Sequence, residues 1–232
     1  MEKLTISIII PILNEEKTIG KLIQHLIENS SKEIIREIIV VDGGSTDNSE
    51  SIVQQFKDVI FLKSGKGRAK QMNLGAQNAK GTMLYFLHAD SFPPKQFDQL
   101  IVNEFENRNL AGCFKMKFDN SHWWLKLAGW FTKFNWRVCR GGDQSLFITK
   151  ELFKKIGNYD ERYIVYEDND LINKLYALKQ FVVIQHWITT SARRYETNGI
   201  WKLQYHFWMI YVKKWFGTPA DELLEYYKKY IS

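Results

Sequence analysis

Three short apolar stretches in the first ninety residues each run straight into polar or acidic residues. Residues 5–10 lead into Pro11, Ile12, Leu13, Asn14, Glu15 and Glu16. Residues 38–41 lead into Asp42, Gly43, Gly44, Ser45, Thr46 and Asp47, and residues 83–87 lead into His88, Ala89 and Asp90. Short apolar runs bounded by turn signals read as strands buried on both faces, the mark of a parallel sheet covered by helices on either side. In such sheets ligands bind beyond the carboxyl ends of the strands. Three strand ends on one edge, each with an oxygen ligand, predict a site for a polar ligand together with a metal.

The segments between these strands carry helical patterns. After Asn14, read as an N-cap, Ile19, Leu22, Ile23, Leu26 and Ile27 fall on one helical face. Thr46 and Asp47 open a second helix reaching Phe56, residues 59–62 form a third strand, and residues 67–79 form a third helix with Ala69, Met72, Ala76 and Ala79 turned inward. Strand–helix alternation predicts an α/β fold with right-handed crossovers. Beyond residue 110 the pattern changes. Phe114, Met116 and Phe118 alternate with Lys115 and Lys117 as in a half-exposed strand; a turn at residues 141–144 leads to a strand at 145–148; a helix begins near Asp168; and residues 181–185 form another strand. Residues 218–221 have the shape of a capping box with proline at the first helical position, so a last helix starts there. No linker or repeat interrupts the 232 residues, and one domain is expected: a ligand-binding half to about residue 110, a more divergent half to 217, and a C-terminal helix.

Charge is distributed unevenly. Between Cys113 and Arg140 stand Lys115, Lys117, Lys126, Lys133, Arg137 and Arg140 against Asp119 alone, a local net of +5, among eight Phe and Trp side chains. Basic residues interleaved with aromatics suit anionic partners such as phosphates, nucleic acid or an acidic membrane surface; equally, they suit a lid whose aromatics pack on the domain beneath solvated lysines. Residues 200–216 place Trp201, Tyr205, Trp208, Val212 and Trp215 on one stripe, which docks on the sheet, pairs with a second subunit, or lies in a membrane interface. Apolar runs stay far short of the roughly 20 residues a membrane span needs. The two cysteines fit no zinc motif and no secretory signal precedes the first strand, so a reducing cytoplasm is the expected setting, with the inner face of the membrane as the alternative.

Common nucleotide-binding and hydrolytic motifs are missing. Gly65-Lys66-Gly67 lacks a third glycine, and there is no P-loop, no G-x-S-x-G elbow and no H-E-x-x-H. What the chain does resemble, in ordered motifs from about residue 4 to 217, is family 2 of the glycosyltransferases with the GT-A fold: residues 7–16, the turn at 41–47, His88-Ala89-Asp90 and Glu167-Asp168. More narrowly, residues 67–73, 87–90, 142–144 and 191–194 resemble the bacterial subgroup known as radical-SAM/selenodomain-associated transferase 2.

The resemblance implies transfer of a sugar from a nucleotide-diphosphosugar, a UDP-sugar, to a hydroxyl acceptor, with inversion. Pro11, Leu13 and Glu15 would line the nucleotide pocket. Asp42 would accept from the imide N–H of the base, where its alternative is to cap the turn that follows. Asp90 keeps the metal position of an Asp-x-Asp motif and would hold Mg²⁺ or Mn²⁺; His88 replaces the first acid, in the place of the family residue that faces the ribose, and reads best as a hydrogen-bonded strand-end histidine with no metal contact. Arg68, opening a helix, suits a phosphate. Asp168 would be the base, with Glu167 orienting it or binding acceptor, and Asp170 would complement the helix dipole. Asp143 and Gln144 are weaker acceptor-side candidates. Arg193 and Arg194 either clamp the diphosphate or a phosphorylated acceptor, or pair with Glu196 and nearby acids. The expected partners are the donor and an acceptor, lipid-linked in one reading, with no nucleic acid. Residues 113–140 and 200–216 offer membrane contact or a dimer surface. The alternatives are a sugar-1-phosphate nucleotidyltransferase, against which the lack of a glycine-rich loop at 11–16 counts, and a non-catalytic module that binds nucleotide sugar or membrane.

Overall fold

The structure, a computed structural model, describes residues 4–141 and 144–231. Four parallel strands form its first part: β1 (Ile6–Ile12), β2 (Ile35–Asp42), β3 (Val59–Lys63) and β4 (Met83–Phe86). With β5 (Ser91–Phe92), β6 (Ala111–Phe118), β7 (Leu146–Thr149) and β8 (Val182–Thr190) they make one sheet of order β3-β2-β1-β4-β7-β6-β8-β5. β7 runs antiparallel to both β4 and β6, while β6 and β8 are parallel.

Every residue of β1 is buried, as a strand covered on both faces requires. Because side chains alternate along a strand, Ile8 and Ile10 enter one core and Ile9 the other. The first core gathers Leu22 and Leu26 of α1 (Ile19–Asn29) with Phe97 and Ile101 of α4 (Phe97–Glu106). The second gathers Ala69, Met72 and Ala76 of α3 (Arg68–Asn78), Leu152 of α6 (Lys150–Lys155), and Leu171 and Leu175 of α7 (Glu167–Ala177). Gly75 lets α3 lie against β1: a Cβ there would meet Ile9 Cγ2 at 2.5 Å. The register sets Ile12 beside Asp42 and Ile9 beside Phe86, so the tips of β1, β2 and β4 share one edge.

Several expected boundaries shift for identifiable reasons. Asn14 does not cap α1; it adopts a left-handed conformation (φ 57°) and spends its amide on Thr46, and Thr18 precedes the helix instead. α2 is only Ser49–Val53, because Asp47 bonds the backbone N–H of Glu16 and Ser49 and keeps the preceding turn out of the helix. Its C-terminal side tightens into three-residue bonds that end at Phe56. Gly67, with φ +136°, stands outside α3. The last strand extends to Thr190, and Pro219 precedes α10 (Ala220–Tyr230) by one position instead of opening it.

The largest correction concerns α9 (Ile200–Trp215). Leu203, Phe207 and Ile210 turn inward, joining Val165, Leu223 and Ile231 in a third cluster. The aromatic stripe lies on the opposite face: Trp201, Tyr205 and Trp208 are each more than half exposed and Trp215 is 87 % exposed. It does not dock on the sheet. α5 (Trp123–Phe131) buries Leu125 and Gly129 and exposes Trp123, Leu127, Trp130 and Phe131. Among the described residues no helix is long and apolar enough to cross a membrane.

Candidate functional site

The loops after β1 and β2 are stapled together by side-chain-to-backbone bonds. Asn14 N–H donates to Ser45 Oγ (2.9 Å), Thr46 N–H to Asn14 Oδ1 (2.8 Å), Glu15 N–H to Ser49 Oγ (2.9 Å), and Asn48 N–H to Glu16 Oε2 (3.1 Å). Asp42, 5 % exposed, accepts from the backbone N–H of Gly44 and Ser45 at 3.1 Å and from the Ser45 hydroxyl. The turn-capping alternative is therefore realised. A carboxylate offers about four acceptor sites, so capping fixes its orientation without using it up. Pro11 and His88 line one pocket, and Leu13 is exposed beside it in the chain.

α3 explains the motif at residues 67–73. Arg68 Nε lies 2.7 Å from Glu167 Oε1, an ion pair that ties α3 to the start of α7. Gln71 is buried and donates to the carbonyls of Ile12 (2.8 Å) and Val41 (2.7 Å), holding the tips of β1 and β2 together. A Cβ at Gly43 would meet this amide at 3.0 Å. Asn73 donates to Tyr159 O (3.0 Å) and Glu161 Oε1 (2.9 Å) and accepts from Tyr159 N–H (3.1 Å). One helix thus positions three walls of the site. Gln71, Asn73 and Tyr159 escaped the sequence reading as individuals because their partners lie far along the chain.

Asp168 shares the pocket with Pro11, His88, Gly141, Ser145 and Tyr159. Glu167 sits behind it, 1 % exposed. Burial pushes the Glu167 carboxyl up to about 7, with Arg68 pulling it down and Asp168 adding to the rise. Burial and then the charges of Asp168 and Glu167 hold the Tyr159 phenol well above its ordinary range. Tyr166, just before these acids, is left-handed at φ 81°. For a bulky residue that is a strained conformation, of a kind concentrated at functional sites. Asp170 pairs with Lys174 at 2.9 Å across one helical turn.

Arg193 bonds the Glu15 carboxylate and stands 3.8 Å from Asp90 Oδ2, reaching across from α8 (Arg193–Asn198). Glu196 is engaged by Asn120 instead, at 2.8 Å. Arg194 donates to the Tyr227 hydroxyl and lies over the Phe207 and Tyr227 rings. Gln144 is buried, donating to Cys139 O (2.7 Å) and accepting from Arg140 Nη1 (2.7 Å), so its amide serves this loop. Asp143 lies outside the described residues. Among the described residues no three His, Cys, Asp or Glu side chains form a metal cluster. A lone carboxylate still fits a hard divalent ion that arrives with a diphosphate, since such ions take one or two carboxylates and fill their other positions with phosphate oxygens and water. The candidate for that role is Asp90, which stands beside Arg193.

The family model Glycosyl transferase family 2 matches residues 7–155. An uncharacterised glycosyltransferase of Rickettsia typhi is 29 % identical over 214 residues, covering 83 % of this chain and 65 % of its own. The undecaprenyl-phosphate 4-deoxy-4-formamido-L-arabinose transferase of Proteus mirabilis is 24 % identical, covering 82 % and 57 %. The chain spans between about half and two thirds of the length of these curated relatives. Among solved structures, S. aureus TarS 1-349 in complex with UDP-GlcNAc superposes with a TM-score of 0.66 at 20 % identity, covering 81 % of this chain and 58 % of that one. GalNAc-T7 with UDP, GalNAc and Mn²⁺ gives 0.67 at 15 % identity, covering 82 % and 44 %. The fold is the GT-A fold, and the chain belongs to glycosyltransferase family 2.

Proposed function

We propose that the protein is a metal-dependent, inverting glycosyltransferase that moves a sugar from a UDP-sugar to a lipid-linked acceptor at the inner membrane face. The observation that carries the reading is the placement of Asp168 in one pocket with Pro11 and His88 at the tips of β1 and β4. A donor laid across those tips would present its anomeric carbon to a carboxylate from α7. Inversion requires one base to take the acceptor proton as the diphosphate leaves from the opposite face. Asp168 takes that role. Glu167, buried and paired with Arg68, fixes the start of α7 and is a positioning residue.

Asp42 reads the base, its carboxylate aimed by the turn it caps. Asp90 would hold Mg²⁺ or Mn²⁺, which when bound would supply positive charge against the departing diphosphate. Arg193 already spans Glu15 and Asp90, so its guanidinium is within reach of a diphosphate that enters between them. The names of similar proteins support the two substrates: TarS is described with UDP-GlcNAc, and the Proteus mirabilis transferase is named for undecaprenyl phosphate.

Release of UDP from UDP-sugars, with and without Mn²⁺, tests the reading. Metal-dependent UDP release, slow into water and faster with a polyprenyl-diphosphate-linked sugar that offers a hydroxyl, is expected. Pyrophosphate-dependent formation of UTP would identify a nucleotidyltransferase, and tight binding with no turnover would identify a binding module.

A further inference from the structure

We infer that α5 and α9 together form one surface that seats on an anionic lipid bilayer. The two helices meet through tryptophans: Trp201 lies 5.9 Å from Trp123 and 5.2 Å from Trp124, Trp208 lies 6.1 Å from Trp124, and Trp124 Nε1 donates to Gln204 Oε1 at 3.4 Å. Their outer faces are continuous, and α9 satisfies the protein core with its other face, so folding leaves the stripe uncovered. At positions i, i+4, i+7, i+11 and i+14 its residues stay on one side of the helix.

Charge decides the occupant. Residues 120–140 and 200–216 contain no aspartate or glutamate; they hold Lys126, Lys133, Lys202 and Lys213, together with Arg137 and Lys214, which bond Asn173 and Tyr163, while Arg140 is buried within the protein. Lys126 and Lys202 are exposed, and Lys133 lies over the Trp130 ring at 3.7 Å. Protein–protein interfaces are depleted in lysine. Tryptophan and tyrosine with flanking lysines are instead the composition of a bilayer interface with anionic headgroups. The surface also borders the site: a cleft lined by Asp90, Phe118, Arg194, Tyr195 and Phe207 is walled by the end of β6, which leads into α5, and by α9 itself. Tyr211 of α9 bonds Asn169, the neighbour of Asp168, at 3.2 Å. The inference rests on the lipid-acceptor reading for its purpose alone, because lipid binding can be measured without donor or turnover.

Flotation of the full chain with phosphatidylcholine vesicles, and with vesicles that also contain phosphatidylglycerol, tests it. The wild type should float with the anionic vesicles at low salt and less at high salt. Lys126→Glu with Lys202→Glu should lower that partition by about tenfold or more, since each basic residue near an anionic surface contributes about fivefold. Trp208→Ser with Trp215→Ser should lower it at either salt concentration. All variants should bind UDP as the wild type does, which reports an intact donor site. No flotation of the wild type with anionic vesicles at low salt overturns the inference. So does a dimer seen by sedimentation that the double tryptophan variant dissolves in a chain that ignores vesicles, because the face then belongs to a second copy.

Discussion

The tips of β1 and β2 and the outer face of α9 are both rich in features a sequence displays, yet they are built in opposite ways. At the strand tips nearly every polar group is engaged: Asp42 caps its own turn, Asn14 and Ser45 cross-link two loops, and Gln71 ties the carbonyls of Ile12 and Val41. On the outer face of α9, Trp201 and Trp208 touch the α5 tryptophans yet stay more than half exposed, and Trp215 and Phe216 are more than four fifths exposed. The first region is pre-organised before any ligand arrives. The second keeps a large apolar area in water, a cost that only a partner surface removes. Substitutions at the tips should therefore disturb folding and donor binding together, whereas substitutions on the α9 face should leave both nearly untouched.

Asp168→Asn should break the comparison most visibly. A general base contributes about 10²–10⁴-fold to rate and does not touch the nucleotide. UDP affinity and stability should hold while turnover with a competent acceptor collapses. Asp170→Asn removes a charge two residues away and loses the Lys174 pair, which should change stability by at most about 1 kcal/mol and turnover little. Equal losses in the two variants would mean a general electrostatic effect instead of a base.

Glu167 offers a pH test of the same region. Its folded value of about 7 lies above its ordinary 4.5. The folded state therefore holds the proton longer than the unfolded chain, so Glu167's stabilising contribution is full below about 4.5 and is lost as pH rises through 7. The loss should amount to a few kcal/mol. In urea titrations Glu167→Gln should therefore compare better with wild type at pH 8 than at pH 5. An identical difference at both pH values would show that Arg68 fully offsets burial.

Gln71→Ala removes a donor from two buried carbonyls, of which that of Ile12 keeps the Gly43 N–H, and should cost about 1–3 kcal/mol of stability, with weaker UDP binding. Trp215→Ser lies at the small end. An exposed position away from caps and cores changes stability by about 0.5 kcal/mol or less. Should Trp215→Ser cost as much as Gln71→Ala, the α9 face is packed in solution and the contrast fails.

What was legible in the sequence follows the same division. Buried strands and their polar tips are local signals, so β1, β2, β4, the acids at their ends and the α/β class could be read directly. Which role each acid plays depends on partners distant in the chain. Asp42 fills its own turn, Arg68 finds Glu167 on another helix, and Arg193 crosses to Glu15 and Asp90. Periodicity on α9 correctly marked an apolar face, but Leu203, Phe207 and Ile210 make a second one, and spacing alone does not say which face the core takes.

The central claim is that a UDP-sugar lies across the tips of β1, β2 and β4 with its diphosphate held through a metal on Asp90. Calorimetry of UDP binding with Mn²⁺ and with EDTA, on wild type and Asp90→Ala, tests it most directly. Binding should be tighter with Mn²⁺ in the wild type, and Asp90→Ala should abolish the difference. Equal affinity in Mn²⁺ and EDTA for the wild type, or a metal effect that survives in Asp90→Ala, would contradict it.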